Sequence, residues 1–322
     1  MAELAACQCI DQTGACGRDG RVAVNVGEAS RTAEYMALFR ALESARSPGE
    51  RLFEDRDAAR FLRPRLQAVA HAARTPALRA AILAYIDRRW PGPRLSGVVR
   101  TRVIDDFVVA ALAAGCEQLL LLGAGYDTRA SRLQPARGAA VFEVDHPATQ
   151  ARKRATMGER AAHVRYVPVD FERDPLAPAL ERCGFDRGRR SCVLWEGVFS
   201  YLTPEAIDQT LSALVDLCAA TSRILITYLD QRALDFPDSY PPAWIGVVNE
   251  VGEPFRTGLA PERAPTFFAA RGLTLVDDES TTQAGLRLGV AGAEHIPDFY
   301  RLATLEVAAG PVGAGAAAGG GD

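Results

Sequence analysis

The sequence predicts an α/β fold: a Rossmann-like, mostly parallel seven-stranded sheet with an N-terminal helical cap before it and a lid insertion between strands five and six. Three patterns carry this expectation. Residues 30–115 place apolar side chains at helical spacing, and from residue 118 onward short apolar runs alternate with amphipathic helical segments. That alternation is the order that builds a parallel sheet covered on both faces. Between the two regions, "LLLLGAGYDTRASRL" (119–133) breaks an apolar strand at Gly123 and Gly125 and turns acidic at Asp127. Two glycines after a buried strand let backbone approach a ligand.

Residues 1–28 lack a sustained period and read as a flexible arm. Ser30 is a candidate cap for "RTAEYMALFRALESA", in which Tyr35, Leu38, Phe39 and Leu42 recur at i, i+3, i+4 and i+7. Helical stretches are expected over 57–63 and 66–88, the latter stopped by "WPGP", and then through "VVRTRVIDDFVVAALAAGC" to Gly115. The cap thus spans 29–115. The expected strands are 118–123, 139–145, 163–170, 191–197, 222–230, 273–279 and 300–308. Thr203 and Pro204 start the helix "TPEAIDQTLSALVDLCAA". The last two strands lie close in sequence, so one of them is expected to run antiparallel. The core is read as 116–308, with a proline- and aromatic-rich lid at about 231–265, and 309–322 as a disordered tail.

Bulk properties exclude several functions. The chain has 322 residues, 48% apolar, with Lys+Arg 37 against Asp+Glu 40 and a formal net charge of -3. A core of useful size is possible, and there is no basic excess for nucleic acid. Lys153 is the only lysine, which leaves Schiff-base chemistry almost no candidate. The seven cysteines contain no CxxC pair, so no metal site is expected and reduced thiols in a cytoplasmic protein are. "MAELAACQCIDQTG" has no basic n-region or apolar core of a signal, and no run reaches the roughly 18 apolar residues of a membrane helix.

Acids gather where ligands bind in an open parallel sheet, at the carboxyl ends of the strands. They are Asp127 after the first strand, Glu143 and Asp145 on the second, Asp170 on the third and Glu196 on the fourth. A dinucleotide site wants G-x-G-x-x-G, but the third-glycine position is Thr128, and Asp127 puts negative charge where a pyrophosphate would sit. An acidic rim suits ribose hydroxyls, an adenine amine and a positive centre without phosphate, the profile of S-adenosylmethionine. Asp145, or Glu143 on the same strand, is the candidate acceptor from the ribose hydroxyls, and Asp170 from the adenine amine.

With "VFEVDHPATQARK", "YVPVDFERD" and "LWEGVFSYLTPEAIDQTL" following the glycine run in order, residues 30–308 resemble the leucine carboxyl methyltransferase family. They resemble most its bacterial branch of S-adenosylmethionine-dependent O-methyltransferases, some of which act on polyketides. The resemblance implies a class I methyltransferase fold. It also implies that Arg31 and Arg100 meet the cofactor carboxylate, that Asp145 binds the ribose, that Asp170 and Phe171 contact the adenine, and that Glu196 stands beside the methionine end. The cap and lid depart from the eukaryotic members, which points away from a protein-phosphatase substrate and toward a bacterial small-molecule acid or phenol.

Methyl transfer from a sulfonium asks the enzyme mainly to position the acceptor and exclude water. An ionised carboxylate acceptor needs no base, whereas a phenol does. None of His71, His146, His163 and His295 stands in a motif that marks a base, which tilts the reading toward carboxyl methylation. Glu196 and Tyr201 are positioning candidates, and Tyr201, Tyr240 and Trp244 are candidates for the acceptor pocket. Two rival readings are an NAD(P)-linked oxidoreductase on the same sheet and a noncatalytic S-adenosylmethionine-binding protein.

Overall fold

The computed structural model describes residues 31–239 and 255–308. Ser30, Tyr240, Trp244, the N-terminal arm and the tail lie outside the described residues, as does the side chain of Arg31.

Four helices come first: α1 (Arg31–Ser44), α2 (Pro64–Ala72), α3 (Pro76–Arg89) and α4 (Pro93–Ala113), with a 3-10 turn at Ala58–Phe61. The single helix expected over 66–88 is two. Pro76 has no N–H to continue the first, and Thr75 before it is extended at φ -82, ψ 120, as a residue preceding proline tends to be. The helix expected to begin near 98 starts five residues earlier, where Pro93 occupies the first turn after Gly92 at φ 100.

The sheet strands are β1 (Gln118–Leu122), β2 (Ala140–Asp145), β3 (Val164–Pro168), β4 (Ser191–Trp195), β5 (Arg223–Leu229), β6 (Leu273–Ser280) and β7 (Tyr300–Val307). Their order is β3-β2-β1-β4-β5-β7-β6. The first five run parallel, and β7 inserts antiparallel between β5 and β6. Alternate side chains face opposite layers. Leu119, Leu121, Val141 and Leu194 pack under α1 and α4, while Leu120, Leu122, Phe142 and Trp195 pack on the other face. There they meet α7 (Leu176–Arg182) and α8 (Pro204–Leu217), after α5 (Arg129–Arg132) and α6 (Pro147–Met157). The Thr203 hydroxyl accepts from Ala206 N at 3.2 Å and Pro204 follows it, so α8 begins as its sequence predicts.

The buried face of α4 is not purely apolar. Arg100, Thr101 and Asp105 lie on it among Gly97, Val98, Ile104 and Val108. A buried charge without a partner costs several kcal/mol, so these side chains are committed to ion pairs. Among the described residues no helix is long and apolar enough to cross a membrane.

Candidate functional site

The strand order reverses between β1 and β4, the place where open α/β sheets hold ligands beyond their carboxyl ends. The turn after β1 fills this crevice, and its two glycines have different reasons to be glycine. A Cβ on Gly123 (φ +63) would stand 2.1 Å from Val198 Cγ2, so the protein's own packing forbids one. At Gly125 (φ +42) the nearest atoms are Gly123 O at 3.8 Å and Ala33 Cβ at 4.0 Å, so among the described residues nothing would clash with a side chain on that face of the turn.

Asp145, at the end of β2, reaches back to this turn. Its carboxylate accepts from Gly125 N at 2.5 Å and His146 N at 2.6 Å. Burial raises its pKa, against the pull of those two N–H groups. Among the described residues it makes no ion pair, which sets it apart from the other strand-end acids. Glu143, two residues earlier, is 2% exposed and lies 2.7 Å from Lys153 Nζ on α6. Desolvation outweighs the lysine's attraction and pushes its carboxyl up to about 7.

Beyond β4 the site is a lattice of arginines and acids. Arg100 Nε donates to Glu196 Oε1 at 2.7 Å, and Arg129 Nη1 donates to Glu196 Oε2 at 2.7 Å. Arg129 also binds Asp127 Oδ2 at 2.5 Å and Asp105 Oδ1 at 2.8 Å, and Arg132 holds Asp105 through two bonds of 2.6 Å. Burial alone would raise the Glu196 and Asp127 carboxyls; Arg129, joined by Arg100 at Glu196, reverses that, holding Asp127 at about 2 and Glu196 below its ordinary range. The Arg100 guanidinium stacks 4.6 Å from the centre of the Tyr300 ring. The Tyr300 hydroxyl lies 3.2 Å from Thr227 Oγ1, which accepts from Gly197 N at 2.8 Å.

The acidic rim expected from the sequence is therefore largely neutralised from within the protein. Gly125, Asp145, Arg100, Asp127 and Glu196 converge on the crevice. Asp170 is half-buried just past the end of β3, where Oδ1 accepts from Glu172 N at 3.0 Å, and among the described residues no contact joins it to the lattice. Phe171 is half-buried against the core of the α8 face. Tyr201 ends the 3-10 turn Phe199–Tyr201, with its ring 5.0 Å from that of Phe255 in the insertion after β5.

Arg129, Asp105 and Arg132 were not singled out from the sequence, although Asp105 had a readable signal. It shares the apolar face of α4 with Arg100, and charges at core-facing helical positions imply buried partners. For Arg129, two residues past Asp127, spacing alone carries no such signal.

Comparisons with known proteins bear on the fold and the family. A protein from Mycobacterium sp. (strain KMS) is 41% identical over 131 residues, 39% of this chain and 42% of that protein. One from Saccharopolyspora erythraea is 36% identical over 199 residues, 61% of this chain and 66% of that protein. Both carry the provisional name S-adenosyl-L-methionine-dependent methyltransferase, and the chain spans about half the length of the curated relatives it matches. Two crystal structures share the fold with TM-scores of 0.55. One, provisionally a methyltransferase, is from Thermobifida fusca (20% identity, 88% of this chain and 97% of that one), and the other is a DUF574 family protein from Streptomyces avermitilis (16%, 89% and 99%). The architecture is that of class I methyltransferases, and the family model described as leucine carboxyl methyltransferase matches residues 33–215. That is more than half of the sequence, and the chain belongs to the leucine carboxyl methyltransferase family.

Proposed function

We propose that the protein transfers a methyl group from S-adenosylmethionine to an oxygen of a small molecule, a carboxylate in preference to a phenol or hydroxyl, with a polyketide or another secondary metabolite as the substrate class. The residues fit the cofactor. Gly125 leaves a face that a Cβ would obstruct, and Asp145 beside it, which makes no ion pair among the described residues, is suited to ribose hydroxyls. Arg100 is suited to a carboxylate and Glu196 to an ammonium at the methionine end. Asp170 and Phe171 would take the adenine side, and Arg31, Tyr201, Tyr240 and Trp244 remain candidates for the cofactor carboxylate and the acceptor.

When bound, the cofactor supplies a methyl group already activated on a sulfonium. The chain's own task is then to orient the acceptor and exclude water. One observation carries the preference for a carboxylate. Glu196 has an arginine on each oxygen and a carboxyl held below its ordinary range, so it is a poor proton acceptor for a phenol. An acceptor carboxylate is ionised at pH 7 and needs no such help. A nicotinamide dinucleotide finds less support, because Asp127 is ionised where its pyrophosphate would lie and the third-glycine position is Thr128, bonded to Asp55.

The test is methyl transfer from methyl-labelled S-adenosylmethionine to a panel of small carboxylic acids and phenols, with base lability separating ester from ether. A base-labile product is expected. A base-stable product alone would reverse the preference, and a calorimetric titration without binding at millimolar cofactor would remove the reading altogether.

A further inference from the structure

Lys153 is an exception in this chain. Every other side-chain cation apart from histidine is an arginine, and the one lysine is 2% exposed. Its ammonium lies 2.7 Å from Glu143 Oε2, off the direction of a good hydrogen bond, and donates to Ala124 O at 3.3 Å. Ala124 stands between the two glycines of the turn. Its N–H donates to Val144 O at 3.0 Å, and the next N–H, of Gly125, donates to Asp145. Three consecutive polar atoms of the turn are thereby tied down: Ala124 N and Gly125 N onto β2, and Ala124 O onto a side chain from α6. That helix is itself held in place, because Gln150 Nε2 donates to Glu143 O at 2.8 Å and Val167 O at 2.9 Å.

We propose that Lys153 is a positioning residue for the cofactor turn, holding the Ala124 carbonyl from below so that Gly125 and Asp145 keep the spacing that receives the ribose. A compact ammonium suits a site with one carbonyl and one carboxylate oxygen, whereas the planar fork of an arginine asks for a paired acceptor that is not there. The proposal rests on the S-adenosylmethionine reading of the crevice. It also accounts for Glu143, whose carboxylate is the counter-charge of the lysine rather than a ligand contact. The groups facing Glu143 are Lys153 from α6, Tyr166 from β3, Asp127 from the glycine turn and Asp145 from its own strand. A proton on Glu143 loosens the anchor, so affinity for the cofactor falls as the pH drops through about 7.

The test uses the full chain, S-adenosylhomocysteine as probe and calorimetry from pH 6 to 8. Lys153→Met alone strands Glu143, so the informative variant is Lys153→Met with Glu143→Gln, which removes both charges at near-constant volume. It is expected to unfold within a few degrees of the wild type yet to bind about tenfold more weakly or worse, with no pH inflection near 7. In the wild type, amine-reactive labelling read by peptide mapping is expected to modify Lys153 slowly, and more slowly still with the probe bound. A folded double variant with wild-type affinity and an unchanged pH profile overturns the role of Lys153 alone. A wild type that binds no probe overturns that role and the S-adenosylmethionine reading together.

Discussion

Five carboxylates stand at or just past the ends of β1 to β4, and their partners sort them by what they can do. Asp127 and Glu196 are held by arginines, Glu143 by Lys153, and Asp170 by the turn it closes, while Asp145 relies on backbone N–H groups. Asp145→Ala is therefore expected to raise the dissociation constant of S-adenosylhomocysteine about tenfold or more with little change in melting temperature. Glu143→Ala is expected to lower stability by opening a void beside the buried Lys153 ammonium, and to weaken binding less than Asp145→Ala does, since it acts only through Lys153 on the turn. Calorimetry and thermal melts on the two variants check the order, and a reversed order would make Glu143 the ligand contact. The same residues set a pH dependence. Asp127, lowered from 3.8 to about 2, adds stability that is present above about 4 and is lost as the pH falls through 2, roughly 2 kcal/mol in all. Glu143, raised from 4.5 to about 7, adds stability that is full below 4.5 and is lost as the pH rises through 7. The melting temperature of the wild type is expected to decline between pH 6 and 8, and that slope should flatten in Glu143→Gln. Sequence alone showed that these residues are acids at strand ends. It left Asp145 and Glu143 open, because what separates them is a lysine on the following helix and a backbone N–H twenty residues back.

At the scale of elements, the glycine turn makes a prediction that its two glycines answer differently. Gly123→Ala must displace Val198, since the new carbon would overlap its Cγ2, and the positive φ adds strain. Unfolding at a temperature lower by several degrees is expected. Gly125→Ala has room, so its cost is the φ penalty of about 1 kcal/mol. Its loss should appear instead as weaker binding of S-adenosylhomocysteine, and a Gly125→Ala variant with unchanged affinity would mean that no ligand approaches that face. The inner strands β1, β2, β4 and β5 were legible as nearly continuous apolar runs, because a strand covered on both faces needs little else, whereas the edge strands β3 and β6 are partly exposed and were marked by the turn residues that flank them. Helix ends were less so. Pro76 and Pro93 each begin a helix that periodicity alone had drawn through or started late, as proline at the first helical position permits what it forbids inside. The partners of α4 could not be read at all, since Asp105 meets Arg129 and Arg132 on α5, beyond β1 in the chain.

Across the whole molecule, hydrogen bonds and charge pairs run unbroken from the N-terminal helices to β7. Arg40 on α1 donates to Asp55 at 2.9 Å and to Tyr126 O in the glycine turn at 2.7 Å. Asp55 also receives Thr128 Oγ1 at 2.7 Å and Ala58 N at 3.0 Å, the latter starting the 3-10 turn. From Thr128 the path continues through Arg132, Asp105, Arg129, Glu196 and Arg100 to Tyr300. Asp55 is thus a place where the helical layer and the ligand crevice share a carboxylate, although it lies at none of the strand ends. Its removal leaves the half-buried Arg40 without its counter-ion and frees Thr128, which should cost roughly 3 kcal/mol, or about 10 °C in a chain of this size. If the layer merely covers the sheet, Asp55→Ala will melt earlier but bind S-adenosylhomocysteine as the wild type does. If the pairs transmit order to the turn, affinity falls as well. The thermal shift produced by a fixed ligand concentration then shrinks with it, because that shift scales with the logarithm of ligand concentration over dissociation constant. The direct bond from Arg40 to the carbonyl of Tyr126, one residue past Gly125, favours the second outcome. Melting curves of the variant with and without ligand decide between them, and an undiminished shift in a folded Asp55→Ala would confine the role of the ion-pair chain to stability.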